Sequence, residues 1–119
     1  MPAASEHREK AASCERVFQR LNERRPAEAD WVVIIAFYAA LHWVDAVLAQ
    51  QAHHPTNHRE RNRAAQRLPL WNDYHELYVT SRIARYEAGH VPRGVARQMR
   101  DVNLTNVRKW ALTQFDQKA

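Results

Sequence analysis

The chain has 119 residues, only two of them glycine, and 18 Lys and Arg against 13 Asp and Glu give a formal net charge of +5. That length makes one domain able to bury a core of its own, and the single cysteine, Cys14, excludes an intrachain disulfide and suits a reducing compartment. Arginine supplies 15 of the 18 positive charges, a bias that fits phosphate-bearing partners and fits a merely soluble basic surface equally well.

Residues 1–10 contain no apolar stretch of the kind a secretory signal needs, so a cytoplasmic location is expected. Ser5 can cap a first helix, with Glu6 and Glu9 in its first turn. Cys14, Val17, Phe18 and Leu21 give that helix one narrow apolar face, and it ends near Arg24. Pro26 breaks it and suits the first turn of the next. Residues 31–48, WVVIIAFYAALHWVDAVL, are too long for a strand and apolar nearly all round. They predict a helix running to about Ala52 that must be covered on most sides. It is long enough to cross a bilayer, but His42 and Asp45 inside it argue against a membrane span.

Residues 53–58, HHPTNH, form a loop, because Pro55 disfavours helix at His54. Thr56 or Asn57 then caps a short basic helix over 58–67, which Pro69 ends. A third long helix covers 70–88, its inner face made of Leu70, Tyr74, Leu77, Tyr78, Ser81 and Ala84, with Gly89 as the residue just beyond its end. Pro92 opens the last long helix, to about Phe115. Val95, Met99 and Val102 start its apolar face; Val107, Trp110 and Ala111 continue it after a register change around 103–106. The pattern predicts an all-α, up-down four-helix bundle with one short extra helix. Trp110, Leu112 and Phe115, spread around the last helix, are more apolar surface than a monomer easily covers, which predicts a homodimer.

Three constellations carry the chemistry. Tyr38, His42 and Asp45 lie one turn apart on the central helix; they suit a general base held by a carboxylate, or a buried polar cluster that satisfies itself. The stretch His58, Arg59, Glu60 and Arg61, with Arg63 and Arg67, at and after a helix start, suits a phosphate or a solvated basic face that Glu60 screens. Tyr78, Ser81, Arg82, Arg85 and Tyr86 interleave arginine and tyrosine as phosphate holders and base-stacking platforms do, and equally as residues that lie over a core. Arg61, Arg63, Tyr78, Arg82, Arg85 and Tyr86 are thus the candidate nucleic-acid contacts. His53, His54 and His58, with His42, lack a carboxylate or Cys at ligand spacing, so neither a metal nor a cofactor is expected.

Taken in order, FYAALHWVDAVLA, HPTNHRERNR and SRIARYE make residues 30–87 resemble small bacterial members of the HEPN (higher eukaryotes and prokaryotes nucleotide-binding) superfamily. The matching positions are Tyr38 and His42; Pro55, His58 and Arg61; Ser81, Arg82, Arg85 and Tyr86. The resemblance implies one helical domain over 1–119, often dimeric, that binds or cleaves RNA in a toxin-antitoxin or defence setting. The alternative it implies is a non-catalytic module: an antitoxin, an accessory subunit of a protein encoded nearby, or a nucleotide-binding regulator. Active ribonucleases of this superfamily carry Arg-x4–6-His, a spacing that Arg85 and His90 have. His42 and His58 with Arg61 are the rival catalytic set. Either way the expected chemistry is a metal-independent endoribonuclease, in which a histidine takes the ribose 2′-OH proton and an arginine stabilises the phosphate.

Overall fold

The computed structural model describes residues 2–116, of which 78% are helical, with no strand among them. The elements are α1 (Ala4–Arg16), prolonged by a 3₁₀ turn (Val17–Arg20); α2 (Pro26–Gln50); α3 (His58–Ala65); α4 (Trp71–Tyr86); α5 (Arg93–Gln98); a π-helical turn (Met99–Asn103); and α6 (Leu104–Asp116). At about 1.5 Å per residue, the 25 residues of α2 span about 37 Å, nearly the whole 41 Å long axis of the molecule. Pro26 occupies its first turn, where a missing N–H costs nothing. Fifteen of its 25 residues are buried, because α1, α4, α5 and α6 all pack on it. Ala36, Ala39, Ala40 and Ala46 let those neighbours come close, while Phe37, Val44 and Val47 fill the space between them. By length and composition α2 could cross a membrane, but 78% of its most apolar window is buried inside the protein.

Where the local details differ from the sequence reading, specific contacts explain the difference. Ser5 does not cap α1: Ala3 stands at the cap, and its N–H donates to the Glu6 carboxylate at 3.2 Å. The α-helical part of α1 ends at Arg16 rather than near Arg24, tightening to 3₁₀ before Leu21 turns extended. Gly89 is not left-handed. Helix α4 stops at Tyr86 because Glu87 is extended, and Asp30 then holds the following segment through His90 and the Val91 N–H. The left-handed residue that closes a helix is Ala52 (φ 59°), beyond α2, where the His53 N–H reaches back to the Leu48 carbonyl at 2.8 Å.

The register change of the last helix is a π turn, slightly earlier than the sequence suggests. The extra residue rotates the helix so that Asn103 and Leu104 face inward, and Val102, read as a core position, is half exposed. The Asn103 amide nitrogen donates to Glu76 of α4 at 2.8 Å, while its buried Oδ1 has no hydrogen-bond partner among the described residues. Trp110, Leu112 and Phe115, on which the dimer expectation rests, are partly buried against the core, and the Arg8 guanidinium lies 4.3 Å over the Phe115 ring.

Candidate functional site

The start of α3 is built by reciprocal capping. The Asn57 side chain accepts from the Glu60 N–H at 2.9 Å, and the Glu60 carboxylate accepts from the Thr56 N–H and hydroxyl at 2.9 and 3.1 Å. So anchored, α3 turns His58 and Arg61, one turn apart, toward α2. The Arg61 side chain is only 10% exposed. Its Nε donates to Oδ1 of Asp45 at 2.7 Å, and Asp45 is itself 8% exposed. Committed to a buried carboxylate, the Arg61 guanidinium, a candidate nucleic-acid contact in the sequence, has little surface left for phosphate.

Arg61 also sets the state of His58. Its Nη1 lies 3.3 Å from His58 Nδ1. Guanidinium can only donate, so Nδ1 must accept, and the neutral imidazole carries its hydrogen on Nε2. Burial, then the Arg61 and Arg85 charges, push the His58 pKa below its ordinary value. The ring is flanked by Phe37 and Tyr78, at centroid distances of 5.9 and 5.7 Å. Because the folded state disfavours His58 protonation, the stability tied to it is fully present above the unfolded pKa of about 6.5 and is lost as pH falls through the lower folded value. Urea midpoints of the wild-type chain should therefore drop below pH 6.5, and His58→Gln should flatten that profile. An unchanged profile would show that His58 does not contribute.

Helix α4 supplies the facing wall. Arg85 donates to the Ser81 carbonyl and, through Nη1, to the Tyr38 hydroxyl, both at 3.3 Å; its guanidinium lies over the rings of Tyr86, Phe37 and Tyr38, 5.2–6.0 Å from their centroids. Arg82 donates to the Tyr78 hydroxyl at 3.4 Å. Among the described residues neither arginine has a carboxylate partner. The exposed ring of Tyr86, 74% accessible, stands beside them. Together His58, Tyr78, Arg82, Arg85 and Tyr86 line a cleft of about 410 Å³. A second opening, of about 420 Å³, shares Tyr78 and adds Arg59, Asn62, Arg63 and Gln66. Two cationic openings free of carboxylate thus run along α3 and α4. A larger hollow of about 560 Å³, between Leu48 and Leu68, includes Glu60 and offers no tyrosine.

The remaining candidates lie elsewhere. Tyr38, His42 and Asp45 do not bond to one another as their spacing allows; each turns to a different partner, Arg85, His7 and Arg61 respectively. His42 is half-buried against α1, and burial followed by the nearby His7 lowers its pKa. His90 is exposed, beyond the end of α4, with Nδ1 2.5 Å from Asp30. It takes no part in the Arg85 contacts, so of the histidines proposed as catalytic only His58 shares a cleft with Arg85. Two participants escaped the sequence reading: Phe37, whose buried ring packs beneath His58, Tyr78 and Arg85, and His7. Among the described residues, one group has the donor set for a metal ion, namely His7, His42 and Asp45.

No family model, no curated protein and no solved structure matches the chain.

Proposed function

We propose that the chain is a HEPN-like, up-down helical bundle that binds single-stranded RNA along the α3–α4 clefts. One observation carries the reading: His58, Tyr78, Arg82, Arg85 and Tyr86, drawn from two of the three constellations, line a single cleft whose arginines have no acidic partner among the described residues. Unpaired guanidiniums favour phosphate oxygens, and tyrosine faces favour bases. Binding is better supported than cleavage. With Nδ1 accepting from Arg61, neutral His58 presents an N–H at Nε2, which can donate to a phosphate but cannot take a proton from a ribose hydroxyl.

Fluorescence anisotropy with a labelled single-stranded RNA, followed by a gel of the same RNA, tests this. The expected result is binding at low salt and intact RNA. Cleavage lost in His58→Ala would establish the endoribonuclease instead; cleavage lost in His90→Ala or His42→Ala would move the site away from the cleft. Failure to bind at low salt leaves a protein-interaction module, such as an antitoxin or accessory subunit acting with a protein encoded nearby.

The reading includes a homodimer. Its support is now Val79 and Ile83, an exposed apolar pair one turn apart on α4 beside the cleft. Light scattering should give twice the chain mass, and Ile83→Glu should give the single mass; a monomeric wild-type chain removes this part.

A further inference from the structure

We propose that His7, His42 and Asp45 form a site for a divalent transition metal of the zinc class, which clamps α1 to α2. The proposal is independent of the RNA cleft. His42 and Asp45 lie one turn apart on α2, and His7 comes from α1, 35 residues earlier in the chain. One ligand atom from each lies within 4.8 Å of the others, so an ion closes the set by side-chain rotation without moving a helix.

The separation of the two imidazoles is the sharpest observation. His7 Nδ1 and His42 Nδ1 are 3.3 Å apart, with the rings stacked at 28°. Two nitrogens on a tetrahedral zinc ion, each about 2.0–2.1 Å from the metal, stand about 3.3–3.4 Å apart. The observed separation, that of a hydrogen bond between one ring's N–H and the other ring's nitrogen, matches this edge, so an ion would replace the shared proton with little movement of the rings.

The surroundings are consistent with this use. Asp45 Oδ1 is held by Arg61, the kind of support a ligating carboxylate normally has, and Oδ2 is the oxygen an ion would take. The Arg61 charge opposes an incoming cation, which is why the carboxylate is needed in addition to two neutral imidazoles. A cleft of about 230 Å³, lined by His7, Asp45, His53, His54, Pro55 and Arg61 among others, leads to the group and leaves room for water in the fourth position. Two imidazoles and one carboxylate favour zinc, cobalt or nickel over magnesium or calcium.

The full chain, stripped with chelator, is titrated with Zn²⁺, and with Mg²⁺ as control, by calorimetry at pH 7.5. One equivalent of Zn²⁺ and no Mg²⁺ is expected, with the thermal midpoint raised by about 5 °C or more. His7→Gln should weaken binding by more than about 100-fold, the upper end of what loss of a mere supporting contact costs, while the double variant His53→Gln/His54→Gln stays within about tenfold of wild type. A long-range proton–nitrogen correlation spectrum of the wild-type chain reads the ligands without any substitution, and Nδ1 of His7 and of His42 should shift on zinc addition. No stoichiometric uptake, binding that survives His7→Gln, loss in the loop variant alone, or shifts at other histidines would each overturn the site.

Discussion

Arg61→Ala should lower the unfolding free energy by about 3–5 kcal/mol, the cost of removing one partner from a buried ion pair. The substitution strands the Asp45 carboxylate on the most buried helix of the molecule, with its 2.7 Å donor gone. It also removes the donor that fixes the His58 tautomer, so the cleft loosens with the core. Replacing both members by apolar residues of similar size, Asp45→Leu with Arg61→Met, should recover most of the loss, because no charge is then left without a partner. Urea unfolding of the three proteins reads this directly. A loss below about 1 kcal/mol in Arg61→Ala would mean that the pair behaves as a surface salt bridge.

Arg82→Ala combined with Arg85→Ala should weaken RNA binding by about 100-fold or more, taking about 1.5 kcal/mol or more for each charge-assisted hydrogen bond lost. Arg82 is exposed and bonds only to the Tyr78 hydroxyl, so its removal costs little stability. Arg85 is half-buried, and its bonds to the Ser81 carbonyl and the Tyr38 hydroxyl make its removal the more costly of the two. Thermal melts of each single variant therefore belong beside the binding curves. Tyr86→Ala offers a cleaner comparison: the ring is exposed, and stacking with a base is worth about 1–3 kcal/mol. Its loss should weaken binding without changing the salt dependence, since no charge is removed.

Helix α2 was legible because an unbroken apolar run with Pro26 at its start has few other solutions, and Asp45 within it had to find a partner. Which partner was not legible. Helix α3, HRERNRAA, is too polar and too short to display a core face, so nothing in its sequence separates buried Arg61 from exposed Arg63. The Tyr–Arg stripe of α4 could be read from four-residue spacing, but the floor that Phe37 lays beneath it depends on how α2 and α4 pack. The Arg85-x4-His90 spacing crosses a helix end: α4 stops at Tyr86, and Asp30, 60 residues away from His90, holds the segment beyond it. His7 offered no signal at all, because the contact that makes it interesting is with His42, 35 positions distant.

The central claim, a phosphate-holding cleft on α3 and α4, is tested most directly by the salt dependence of RNA binding in the wild-type chain and in the Arg82→Ala/Arg85→Ala variant. For single strands the logarithm of the binding constant falls with the logarithm of salt concentration by about 0.7 per phosphate neutralised. If both arginines hold phosphates, the variant's slope should be shallower by about 1.4. Equal slopes for the two proteins, or a wild-type chain that binds no RNA at low salt, would contradict the cleft as the site.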